Sequence, residues 1–199
     1  MIRLSTILGL ARSEARLARR LVRYWVFLSL ATLSGAWIYL QFFFIHKFFS
    51  WASASAATAN PRYFIGNYGA WFMMIFFIGL VFLGFDIRAR DYRERVGEVV
   101  DALPITNLEL VLGRALGLFL AAYIPFVAVM ALLATVAWLV GTSIQPHSML
   151  TLFLLMAPPA YVFAIGLVFL VTLLVRHRLV AAILSLVLLV LIFVVGIWW

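Results

Sequence analysis

Residues 88–114 read RARDYRERVGEVVDALPITNLELVLGR, and the fold turns on how this stretch is framed. Between Asp86 and Arg114 lie all the acidic residues of the chain except Glu14, together with five of its fifteen basic ones. On either side run apolar segments of span length. Mixed charge this dense, set between membrane spans, reads as a cytoplasmic loop that touches a partner.

The remainder of the 199 residues supports that frame. The chain is 67% hydrophobic and only 11% charged, against roughly a quarter charged in an ordinary globular domain. A soluble fold of this size has no interior large enough for so much apolar surface. In a bilayer every backbone group pairs internally, which leaves helices or a closed barrel. The apolar runs are continuous and do not alternate with period two, so the expected class is all-α, a polytopic helical membrane protein. The net charge of +8 does not point to nucleic acid, because the basic residues gather at span ends where lipid headgroups account for them. With no cysteine, disulfides and thiolate metal sites within the chain are excluded.

Taken in order, residues 1–23 form a basic amphipathic helix. Arg12, Arg16, Arg19, Arg20 and Arg23 share one arc at 100° per residue, and Ile7, Leu10, Leu17 and Leu21 lie opposite. Such a helix rests in the headgroup plane of an anionic leaflet. Its long charged lead and the span-length run behind it argue against a cleavable signal peptide. The transmembrane domain then occupies 24–199, with about five spans near 24–45, 69–85, 112–140, 149–175 and 179–199. Pro125 is expected to kink the third span and Pro158-Pro159 to interrupt the fourth. Residues 86–111 form the cytoplasmic coupling loop.

Orientation follows from the positive charges. Thirteen lie in the N-terminal segment, the 86–111 loop with Arg114, and the Arg176–Arg178 turn, whereas the outer loops hold only Lys47 and Arg62. The N-terminus is therefore cytoplasmic. Because the chain closes on a span, a further C-terminal part or a second bundle is expected to complete the assembly.

Within the charged stretch, Asp91, Glu94, Glu98 and Asp101 fall on an arc of about 80° of a helix. Val96, Val99, Val100 and Leu103 fall opposite. The pairs Arg90/Glu94 and Asp91/Arg95 are spaced i,i+4 and support the helix. Pro104 ends it, and Thr106 or Asn107 caps the helix that enters the next span. The bland alternative is a solvated charged loop.

Leu103-Pro104-Ile105-Thr106, then Glu109-Leu110, then Gly113-Arg114, resembles the Leu-Pro-Val-Ser, Glu-Leu, Gly-Lys run of the permease subunits of type-2 ABC exporters. Glu98 stands where that family has a glutamate. Gly97 is offset from the family's glycine position, which falls at Arg95, and Asp101 replaces an apolar residue. The resemblance implies a permease that couples ATP hydrolysis on a separate ABC ATPase subunit to substrate translocation. ATP and Mg²⁺ would sit on that partner, with no cofactor in this chain. It further implies a coupling helix docked through Asp91, Glu94, Arg95, Glu98, Leu103 and Pro104, a second transmembrane bundle, and residence in a bacterial inner membrane. The different-class alternative is a non-transporting membrane subunit that anchors or assembles a cytoplasmic partner through the same loop.

Enzymatic chemistry finds little support. The single lysine, Lys47, lies in His46-Lys47-Phe48, so no phosphate-binding loop is present. His46, His147 and His177 sit in separate segments without ligand spacing. Gly113 and Gly117, at small-xxx-small spacing, are expected to admit a close helix neighbour. An aromatic path for an apolar substrate would draw on Phe42, Phe43, Phe44, Phe72, Phe76 and Phe77, and lipid-facing positions explain the same residues equally well.

Overall fold

The computed structural model describes residues 3–48, 69–84, 105–139, 146–175 and 177–198, and among these every regular element is a helix. In chain order they are α1 (Leu4–Arg20) and α2 (Val22–Phe48), α3 (Gly69–Gly84), α4 (Asn107–Leu139), α5 (Pro146–Leu174) and α6 (Arg178–Trp198). Of the expected coupling loop, 86–111, residues 86–104 lie outside the described residues, and with them Asp91, Glu94, Arg95, Glu98, Leu103 and Pro104, whereas 107–111 already belong to α4. Outside them too are Phe42, Phe43 and Phe44 as side chains.

Two helices are long and apolar enough to cross a bilayer, Asn107–Val136 and Pro146–Leu174. A third crossing is available if Leu4–Arg20 and Val22–Ile38, bent by 77° at their junction, count as one. Gly69–Gly84 and Val180–Ile192 are shorter apolar helices. At 1.5 Å per residue the 33 residues of α4 extend about 50 Å, against the ~30 Å of bilayer hydrocarbon. Arg114 marks the excess at the N-terminal end, since the apolar run without charge begins at Ala115.

The two proline sites sit differently in their helices. Pro125 lies inside α4 without ending it. Pro158 and Pro159 enter within the first turn of the α-helical part of α5, where no intrahelical N–H is demanded of them. The preceding turn, Leu152–Met156, is π-helical. Its wider hydrogen-bonding pattern absorbs the ring that would otherwise strike the carbonyl four residues back. The helix therefore continues through the pair instead of being interrupted.

The core is aromatic. Tyr24, Phe72, Phe76, Phe126 and Tyr161 are all almost completely buried. Phe72 stacks on Phe76 and meets Phe126 with ring centroids 5.5 Å apart, while Tyr24 meets Phe76 edge-on. Offset and T-shaped pairs of this kind add to the area they bury. Phe72 and Phe76 thus serve packing between helices and do not line a path. Close approach is set by glycine at α3: a Cβ on Gly79 would sit 2.8 Å from Phe27, and one on Gly84 would sit 2.5 Å from Val168.

Candidate functional site

The described chain resumes at Ile105, directly after the charged stretch, and its first turn is closed by a reciprocal pair of hydrogen bonds. Thr106 is the N-cap of α4. Its Oγ1 accepts from the Glu109 backbone N–H at 3.3 Å, and Glu109 Oε2 accepts from the Thr106 N–H at 2.9 Å. This capping box satisfies two donors that a helix start otherwise leaves open. Of the two caps considered from sequence, Thr106 holds the position.

Glu109 does more than cap. Its other oxygen, Oε1, accepts from the backbone N–H of Arg3 at 2.6 Å, and the side chain is only 1% exposed. A buried carboxylate is costly unless it is hydrogen-bonded, and here donors arrive from two helix starts at once. The start of α1 is thereby tied to the start of α4.

Beyond that tie the two helices run in the same direction in contact. Gly113 faces Leu10 and the Ile7 carbonyl, and Gly117 faces Glu14 and the Ala11 carbonyl. A Cβ at Gly117 would lie 2.8 Å from the Ala11 oxygen and 2.6 Å from Glu14 Cβ, so the glycine is what allows this separation. The matching surface of α1 is the stripe Ile7, Ala11, Glu14 and Ala18, all buried. Farther along, Tyr24 Oη donates to the Ala121 carbonyl at 2.9 Å, fixing the beginning of α2 on the same side of α4.

The junction between α1 and α2 is a single extended residue, Leu21, with φ −76° and ψ 131°. Trp25 bridges it, its indole Nε1 donating to the Arg19 carbonyl at 2.7 Å. A helix C-terminus leaves carbonyls without partners, and the indole supplies a donor for one of them.

The face of α1 that packs differs from the apolar arc read from sequence. Ile7 belongs to both, but Leu10 and Leu21 are only half-buried and Leu17 is exposed. Small Ala11 and Ala18, with the inward stem of Glu14, take their place because the glycines of α4 accept small partners. Arg12, Arg16, Arg19, Arg20 and Arg23 are all exposed. At 100° per residue Glu14 falls within the apolar arc of Ile7, Leu10, Leu17 and Leu21, so the phase of α1 already turns it inward, and Gly117 on another helix gives its stem room.

A second polar feature lies in the core of the bundle. The Tyr123 hydroxyl donates to the Phe153 carbonyl, inside the π-helical turn of α5. Tyr161 packs edge-on against Phe77, and its ring centroid lies 6.2 Å from that of Tyr123. The hydroxyl of Tyr161 is buried and meets no hydrogen-bond partner among the described residues. Among the same residues no cluster of His, Asp or Glu is assembled that could hold a metal ion.

Compared with family models, with curated proteins and with solved structures, the chain shows no significant match.

Proposed function

We propose that this chain is the permease part of an ATP-driven exporter, the reading that the run from Leu103 to Arg114 supports by resemblance. The observation that carries it is the clamp at the beginning of α4. The segment following Pro104 starts with a capping box whose glutamate also holds α1. A force applied to the 86–104 stretch would therefore reach α1, the Leu21 elbow and α2 together, as well as α4 itself.

In this reading about five spans cross the membrane with the N-terminus in the cytoplasm. An ABC ATPase subunit docks on the helix around Asp91 to Leu103. ATP binding draws two ATPases together, and each coupling helix passes the displacement to its bundle. Two such bundles, from a second copy or a related chain, flank the substrate path. The energy required is modest, because a ligand that favours one of two states by a few kcal/mol shifts their populations decisively. ATP and Mg²⁺ belong to the partner.

The competing reading is a non-transporting subunit that anchors a cytoplasmic partner, and the closely packed aromatic interior of the single bundle is compatible with it. Affinity purification from native membranes in mild detergent, followed by mass spectrometry, separates the two. A stoichiometric soluble partner carrying a phosphate-binding loop is the expected result. Recovery of a partner without one would replace the exporter with the anchor.

A further inference from the structure

We propose that the π-helical turn of α5 is a two-position joint, latched in this structure by the Tyr123 hydroxyl and released when that hydroxyl turns to Tyr161. The inference does not rest on the exporter reading, because it concerns hydrogen bonds inside one bundle.

The latch follows from a shortage of backbone donors. In an α-helix the Phe153 carbonyl would accept from the Ala157 N–H, and in a π-helix from residue 158. Here the Ala157 N–H goes to the Leu152 carbonyl, and Pro158 has no N–H to give. The Phe153 carbonyl is thus left without a backbone donor in either pattern, and Tyr123 supplies one from α4. The Phe153 ring is seated as well, edge-on to Phe126 with centroids 6.1 Å apart.

A second register uses the same groups differently. When the Ala157 N–H passes from Leu152 to Phe153, the turn becomes α-helical and the Tyr123 hydroxyl is set free. The Leu152 carbonyl then takes the Met156 N–H, its ordinary α-helical donor. Tyr161 offers the freed hydroxyl a partner. The two rings lie 6.2 Å apart, and the buried Tyr161 hydroxyl has no partner among the described residues in the present register. Each register carries one penalty. In the first a buried hydroxyl goes unpaired, and in the second the Pro158 ring meets the Leu154 carbonyl and bends the helix. Two arrangements with matched bonds and one penalty each make a bistable element.

The joint has a defined output. Absorbing the extra residue of the π-turn rotates Pro146–Thr151 by about 100° against the rest of α5 and moves it about 1.5 Å along the axis. Met149, now buried, gives way to Leu150, now 58% exposed, so one apolar side chain replaces another against the bundle. Leu152, which lies beside Gly69 at the start of α3, moves with them. The Tyr123 hydroxyl on α4 thereby controls how α5 meets α3.

The test uses the full chain reconstituted in bilayers. The sequence has no cysteine, so Leu150→Cys and Gly9→Cys, both at exposed positions, place two nitroxide labels without further changes. Double electron–electron resonance then gives the distance distribution between α5 and α1. With both tyrosines intact, two populations are expected. Tyr161→Phe removes the partner on which the second register depends and should lower its share about fivefold, whereas Tyr123→Phe removes the latch and should raise it about fivefold, each the effect of one buried neutral hydrogen bond. A purely structural role for either hydroxyl would change thermal stability and leave the populations where they were. If Tyr123→Phe fails to fold, Tyr161→Phe alone decides, through loss or persistence of the second population. A single population in the unaltered chain overturns the proposal. So do shifts of the same sign in the two variants, or a second population that Tyr161→Phe leaves intact.

Discussion

The backbone N–H of Arg3 reaches Glu109 Oε1 at 2.6 Å, across 106 positions of sequence. One carboxylate thereby serves two helix starts, its own through Thr106 and that of α1 through Arg3. Membrane insertion alone does not require such a tie. It matters because the segment before Thr106 is the most charged part of the chain, so whatever moves that segment also moves the N-terminal helix.

The cap can be weakened without touching the carboxylate. Thr106→Ala removes the acceptor for the Glu109 N–H and should destabilise the chain by about 1 kcal/mol, the usual cost of losing an N-cap hydroxyl. Thr106→Ser should be close to neutral. Thermal unfolding of the detergent-solubilised protein measures both. Equal loss for Ser and Ala would show that the methyl group, and not the hydroxyl, is what counts at this position.

Glu109→Gln tests the other end of the same tie. The amide retains the length of the side chain but offers one carbonyl oxygen where two oxygens now accept from Arg3 and Thr106. One of the two N–H groups loses its partner. Amide hydrogen exchange should rise at the start of α1 or of α4, with the rest of the bundle unchanged. Unaltered protection at both starts would mean that the carboxylate does not hold them together.

Gly117 lies in the α1–α4 contact and Gly9 on the exposed face of α1, so the two make opposite tests of it. A methyl group at Gly117 would press on the Ala11 carbonyl and Glu14 Cβ, backbone and stem atoms that yield poorly. Gly117→Ala should cost about 1–3 kcal/mol by overpacking and expose α1 to proteolysis. Gly9 has nothing within 4 Å of the same added atom, and Gly9→Ala should stabilise α1 by about 0.5–1 kcal/mol through helix propensity. Opposite signs in thermal unfolding are expected. Two similar shifts would mean that α1 is not seated on α4 at this distance.

Much of this was legible beforehand, because it is local. Thr106 and Glu109 at capping-box spacing, the arginine arc of α1, and the small residues at 113 and 117 are all visible in a few consecutive turns. What stayed hidden depended on pairing between distant segments. The phase of α1 sets Glu14 on the apolar side, but only the gap at Gly117 shows what accommodates its stem. The aromatic residues Phe72 and Phe76 read equally well as a path or as lipid-facing side chains, and the position of Phe126 and Tyr24 against them shows that they pack between helices. Pro158-Pro159 misled in another way: composition signals a break, but a π-helical turn placed just ahead of the pair accommodates the rings.

The charged stretch supports a prediction from its helical phase alone. Asp91→Arg with Glu98→Arg inverts the acidic arc of the proposed coupling helix while leaving its valine arc and the Thr106 cap untouched. The double variant should insert normally and lose an ATPase partner in the same purification that recovers it with the unaltered chain. Undiminished partner retention would remove the coupling helix from the proposal.

The two core tyrosines should respond oppositely to the same chemical change. Tyr123 donates its hydroxyl to the Phe153 carbonyl, an acceptor in the π-helical turn, so Tyr123→Phe leaves that carbonyl without its side-chain donor. A loss of about 1 kcal/mol is expected for a buried neutral hydrogen bond. The Tyr161 hydroxyl is buried without a partner among the described residues, so Tyr161→Phe removes a desolvated polar group and keeps the ring that packs against Phe77 and Phe126. Removing an unsatisfied group should leave thermal stability unchanged or raise it. If Tyr161→Phe instead destabilises the protein as much as Tyr123→Phe does, its hydroxyl has a hydrogen-bond partner in the membrane, and the two tyrosines support α5 as a unit.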